Sequence, residues 1–334
     1  MANINKEEAI KMLKQGESIL HRLSEELKND KEVVMAAVKQ NGNALQFAST
    51  ELQADKEVVL AAFKQHEWAL RFASEKLLAD KEFILEAVKI GAGVFRYVDY
   101  ELRSDKKFML KVVKNNGLAL TYCNSNVRDR EVVMAAVQQN GNALEYAPHY
   151  KADKEVVMAA VQQNGYALSS ASKELRADKE VVMAAVKRSG GALFYASKEL
   201  RADKEVVMAA VQQDGGALHD APNYQADKEV VLTAVKSNGF ALQCVPKYQN
   251  DKEVVMAAVK QNRYALEYAS EELQKDPEIL QIIELNLKKN KDKINNEIKI
   301  DSNEKKSFGE IIKSLFKKKK KEVKIEEDSE TLGL

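Results

Sequence analysis

The pentapeptide Asp-Lys-Glu-Val-Val recurs with its Asp at positions 30, 55, 153, 178, 203, 227 and 251, and looser copies start at Asp80, Asp105 and Asp129. Every spacing is 24 or 25 residues. Self-similarity at so short a period means that each unit is one supersecondary element, able to bury its apolar side only against its neighbours. A degenerate copy begins at Asn5 and a partial one at Asp276, so the array is expected to occupy residues 1–287. A length of 334 residues alone suggests two or three domains. The repeat replaces that reading with one elongated array of about eleven units.

The unit from Asp30 shows what each copy folds into. Val33, Val34, Ala37 and Val38 share one face of an α-helix. Asp30 is placed to cap that helix, accepting hydrogen bonds from the free N–H groups of the first turn, and the Glu two residues on favours the helix dipole. Asp276-Pro277 supports the assignment, because the first helical position tolerates proline. Asn41-Gly42 is expected to end the helix in a left-handed cap. A second helix follows, with Ala44, Leu45 and Ala48 on its core side, and ends near Ala48. Pro148, Pro222 and Pro246 fall in the short connector behind it, where proline is tolerated. Polar residues replace apolar ones at the array ends, Glu8 and Arg22 in the first copy and Glu284 in the last, as capping units require. The expected fold is all-α, an α-solenoid of 24–25-residue helix-turn-helix repeats with a basic C-terminal tail over 288–334.

Copies such as DKEVVMAAVKQNGNALQFASTELQA resemble the tandem repeats of the domain of unknown function 4116 family, over about residues 5–287. The resemblance implies a repeat array and brings no catalytic residues or ligand. The sequence departs from it most within Asp80–Asn126, where either a local bend or an older part of the array is expected.

Chemistry is hard to find. His21, His66, His149 and His219 lie in different units at non-equivalent offsets, so they are not expected to converge on a metal. The recurring Asp and Glu at offsets 0 and 2 are accounted for by capping and the helix dipole. Cys123 and Cys244 are too few for a disulfide framework and read as core filler in a reducing compartment. No cofactor, metal or catalytic group is expected, and the chain reads as non-enzymatic. No run approaches the roughly 18 apolar residues of a membrane span, and the start of the chain lacks an apolar leader, so a cytoplasmic location is expected.

The copies differ from one another mainly at two places. Offset 13 from the Asp reads Asn43, Trp68, Gly93, Leu118, Asn142, Tyr166, Gly191, Gly216, Phe240, Tyr264, and offset 16 reads Gln46, Arg71, Arg96, Thr121, Glu145, Ser169, Phe194, His219, Gln243, Glu267. Three residues apart, these neighbour each other on the second helix. Drift at exposed sites predicts polar residues, which Trp68, Tyr166, Phe194, Phe240 and Tyr264 fit less well; with Arg71 and Arg96 they form a strip suited to a protein or peptide partner, unless the aromatics pack between repeats. Residues 1–287 carry 38 Lys+Arg against 41 Asp+Glu, which argues against nucleic acid. The array is expected to be a monomer.

The tail carries 14 Lys against 10 acids, and between Lys305 and Lys324 the net charge reaches +7. Phe308, Ile311, Ile312, Leu315 and Phe316 make one apolar stripe ahead of Lys317, Lys318, Lys319, Lys320 and Lys321. That layout fits an anchor to an anionic membrane surface or to a partner, and equally a helix docking on the array's last unit, a nuclear-import-like basic run or a solvated tail. The final EEDSETLGL is similar to the glutamate-rich C-terminal signals of effectors translocated by type IV secretion systems of intracellular bacteria. The resemblance implies a second possibility, a translocated effector, beside a membrane-peripheral protein located by its basic stripe; otherwise the acidic end balances the preceding lysines.

Overall fold

The structure, a computed structural model, describes residues 4–286. The tail residues Phe308 to Lys321 and the acidic end lie outside the described residues. No strand occurs among the described residues, and ten-residue α-helices recur from Lys31–Gln40 to Lys252–Gln261. Each begins one residue after its Asp, whose carboxylate accepts from the N–H groups two or three residues on; Asp30 Oδ1 takes those of Glu32 and Val33 at 2.9 and 3.1 Å. The helices bury the face expected of them: Val33, Val34, Ala37 and Val38 are sealed, and the equivalent quartet is buried in every later copy up to the one starting at Asp251. First helices stack on first helices and second elements on second elements, giving two layers with the core between them. Each buried Leu in the second layer, Leu45 and its equivalents, contributes roughly 1.5–3 kcal/mol from removal of apolar surface. Glu8, Arg22 and Glu284 face solvent at the two ends.

Two expectations are corrected. The second element is a six-residue 3-10 helix, Gly42–Phe47 in the first full copy, and the connector behind it contains a further helical turn, such as Glu75–Leu78 capped by Ser74. A unit is therefore three short elements. Nor is Asn41-Gly42 a left-handed cap: Asn41 is extended at φ −145°, and among the described residues only Gly16 has positive φ. Asn41 instead starts the 3-10 helix, its Oδ1 accepting from the Asn43 N–H at 3.0 Å.

The glycine is needed for space. A Cβ on Gly42 would sit 2.2 Å from the carbonyl oxygen of Ala62 in the next unit, and Gly117, Gly141, Gly165, Gly190, Gly215 and Gly239 meet the equivalent carbonyl at 2.1–2.6 Å. Three units lack it, with Arg263 at that offset in the last full copy and Glu67 and Ala92 at that offset in two adjoining ones. At the two adjoining units the first helices Lys56–Gln65, Lys81–Ile90 and Lys106–Asn115 meet over a shorter stretch than elsewhere. These two units and the one after them carry larger core residues, Phe63, Phe83 and Phe95, then Phe108, all buried. Bulk in the core thus compensates for wider junctions, and the sequence departures over Asp80–Asn126 lie within and just after this stretch.

Lysine at offset 1 bridges units. Lys31 pairs with Asp55 and Glu57 of the following copy, both at 2.9 Å, and Lys179 with Asp203 and Glu205 at 2.8 and 2.7 Å. The ladder starts at Lys6, paired with Asp30, and ends at Lys252, paired with Asp276, because Pro277 supplies no cation for a further rung. Capping alone therefore does not account for the offset 0 and 2 carboxylates. A backbone rung accompanies it: the Ser74 N–H donates to the Gln53 carbonyl at 2.9 Å, and Ser197 to Arg176 likewise. Pro222 and Pro246 have no N–H to give at this offset. Tyrosine two residues on replaces it, Tyr224 and Tyr248 donating their hydroxyls to the Ala202 and Ala226 carbonyls at 2.6 and 2.7 Å.

Candidate functional site

The 3-10 geometry places the variable residues. At three residues per turn, offsets 13 and 16 eclipse each other on one edge of the short helix, while the intervening Ala-Leu pair enters the core. Successive 3-10 helices lie side by side, so these edges join into a strip along the array. Its aromatics are in solvent: Trp68 is 52% exposed, Tyr166 48%, Phe194 59%, Phe240 42% and Tyr264 60%.

Trp68, Arg71 and Arg96 gather at the wide junction. The Arg96 guanidinium lies 5.3 Å from the Trp68 ring centroid of the preceding unit, and Tyr122 of the following unit favours its charged form. Arg71 covers the neighbouring Phe72 ring at 4.5 Å. Glu67, carrying the side chain that has replaced the spacing glycine, turns its carboxylate toward Gly93, where a Cβ would come within 2.5 Å of it. The result is an exposed aromatic ring with one cation, Arg96, over it and the Glu67 carboxylate acting on that cation. Sequence reading selected Trp68, Arg71 and Arg96 but missed Glu67 and Tyr122; the available signal was Glu67 breaking the offset-12 glycine column.

Farther along, Tyr166 spreads over the next unit, its hydroxyl 2.8 Å from where a Cβ on Gly191 would lie. A large residue thus uses the space left by a small one. Phe194 stacks edge-on to Tyr195 at 5.1 Å and Phe240 to Tyr268 at 6.2 Å, and Arg263 sits over the Tyr264 ring. These contacts orient the rings without covering them. The structure does not bring all seven strip residues into one pocket; it spreads them over separate units.

Among the described residues no three His, Cys, Asp or Glu side chains converge as metal ligands, and no helix is long and apolar enough to cross a membrane. Cys123 is buried, and burial pushes its thiol up to about 12, while half-exposed Cys244 is raised by burial and by Asp220.

The family model described as domain of unknown function (DUF4116) matches residues 5–53, 55–103, 80–128, 129–176, 178–224 and 227–274. Each match spans two of the 24–25-residue units, and the second and third overlap by one unit. No curated protein and no solved structure matches the chain. The chain belongs to this family, as a tandem array of its repeat.

Proposed function

We propose that the array is a non-enzymatic scaffold that binds a protein or peptide along the strip of offsets 13 and 16. The supporting observation is that five large aromatic residues stand in solvent on one edge of a rigidly stacked row of 3-10 helices. An exposed aromatic removes apolar surface from water on binding at little entropic cost, and such residues dominate interface energetics. The mixed charges of the strip, Arg71 and Arg96 against Glu145 and Glu267, suit a protein surface better than a phosphate backbone. The three sections, around Trp68, Tyr166–Phe194 and Phe240–Tyr264, favour an elongated partner that touches several units.

Affinity capture with the intact chain, compared with a variant carrying Trp68→Ala, Tyr166→Ala, Phe194→Ala, Phe240→Ala and Tyr264→Ala, tests the reading. An anchoring residue is worth about 2 kcal/mol or more, roughly thirtyfold in affinity, so the variant should lose the partner. Capture of the same proteins by both chains, with circular dichroism showing both folded, would sink it.

A further inference from the structure

The outward face of the first-helix layer carries a second row. Offset 5 is Met or Leu in every unit from Asp30 to Asp251: Met35, Leu60, Leu85, Leu110, Met134, Met158, Met183, Met208, Leu232 and Met256. On an α-helix this offset points away from the buried quartet. All ten are nevertheless half-buried, because each lies in the furrow between neighbouring helices. Leu110 with Met134 lines a depression of about 540 Å³, and Leu232 with Met256 one of about 420 Å³.

Charge beside the row is one-sided. Most of the glutamates at offset 2 are neutralised within the ladder, Glu131 by Lys106 and Glu253 by Lys228. The lysines at offset 9, including Lys64, Lys89, Lys114, Lys236 and Lys260, are exposed and form no ion pair among the described residues. The helix Lys106–Asn115 adds Lys107 in place of the usual glutamate and Lys111, both exposed; the preceding helix sets Glu82 and Glu86 beside them, both acting also on Lys56. An apolar furrow edged by unpaired lysines calls for a ligand that is apolar and acidic.

The repeat also sets the ligand's period. Stacked helices advance roughly 8–10 Å per layer, and an extended chain covers about 3.3 Å per residue, so one unit corresponds to about three residues of extended peptide. We propose that this face, centred on Leu85, Leu110 and Met134, binds an extended acidic peptide with an apolar residue at every third position. The apolar side chains enter successive furrows and the acidic ones meet Lys89, Lys107, Lys111 and Lys114. This site shares no residue with the strip of offsets 13 and 16.

Fluorescence anisotropy of a labelled (Leu-Glu-Glu)5 peptide with the full chain tests it. Binding is expected, weakened about tenfold or more for (Gly-Glu-Glu)5 and for a chain carrying Lys107→Glu, Lys111→Glu and Lys114→Glu, and lost for (Leu-Lys-Lys)5. The five strip alanines should leave it unchanged, which separates this site from the proposed scaffold surface. Circular dichroism keeps a loss of binding apart from a loss of fold. No binding, equal binding of the three-lysine variant, or equal binding of the Gly peptide overturns the proposal. Binding seen only after deletion of Glu326–Leu334 gives the furrow to the chain's own acidic end and overturns the external ligand.

Discussion

Replacing Gly165 by Ala isolates the contact that sets the distance between units. Gly165 opens the 3-10 helix Gly165–Ser170 with an ordinary negative φ, so alanine meets no backbone obstacle there. The obstacle is the next unit: the new Cβ would lie 2.4 Å from the Ala185 carbonyl oxygen and 2.8 Å from Ser189 Cβ. Ordinary contact begins near 3.4 Å, so the junction must open by about 1 Å. The carbonyl cannot turn aside, because it accepts the closing helix bond from the Ser189 N–H at 2.9 Å. Overpacking of this kind costs roughly 1–3 kcal/mol, and the entropy that alanine removes from the unfolded chain returns at most about 1 kcal/mol. A net loss of about 1–2 kcal/mol is expected. Gly216→Ala is the control, since its nearest neighbour is a movable Asp214 carboxylate oxygen at 3.2 Å, and it should stay within about 0.5 kcal/mol of the parent. Urea denaturation followed by far-ultraviolet circular dichroism and by fluorescence of the single tryptophan, Trp68, reads both effects. Since units couple chiefly to their neighbours, the Trp68 transition should shift less than the dichroism. If Gly165→Ala is no less stable than Gly216→Ala, close approach is not what holds this column to glycine.

Other consequences are quicker to check. At Asp178 the Lys154 ion pair, opposed by burial and aided by the Val181 and Glu180 N–H groups, holds the carboxyl below its ordinary value, and Asp203 and Asp227 behave alike. Their contribution is complete above about pH 3.9, the unfolded value, and is lost as pH falls through the lower folded value, so urea midpoints should drop steeply below about pH 4. Tyr248→Phe removes the hydroxyl that stands in for the missing Pro246 N–H and should cost about 0.5–1.5 kcal/mol in the same denaturation assay, more than Tyr100→Phe at an exposed site. A thiol reagent at neutral pH should modify Cys244 before Cys123, whose ionisation burial suppresses; the reverse order would contradict the packing. The full chain should float with anionic liposomes better than one lacking residues 305–324, and equal flotation removes membrane anchoring from the account.

Most of the fold could be read from the sequence because each unit states it again. The Asp caps and the Val-Val-x-x-Ala-Val face are local signals, and ten copies reinforce them. What could not be read depends on the next unit. Asn-Gly suggests a left-handed cap to any rule that looks within one helix, whereas here the asparagine caps the following 3-10 helix and the glycine yields space to a carbonyl a unit away. The Asp and Glu seemed to be explained once capping was assigned, which concealed their pairing with a lysine of the preceding unit, Lys154 for Asp178 and Glu180. At the candidate site, comparing copies picked out offsets 13 and 16, whose aromatic residues Trp68, Tyr166, Phe194, Phe240 and Tyr264 stand in solvent. Their grouping around Trp68 was not legible, because it follows from a junction widened by Glu67.

Binding along the strip is tested most directly by a photo-crosslinking amino acid placed at Phe194, on the strip, and separately at Tyr100, an equally exposed aromatic site outside it. The account predicts a discrete protein adduct from position 194 and none from position 100. Adducts of the same protein at both positions, or none at position 194, would contradict it.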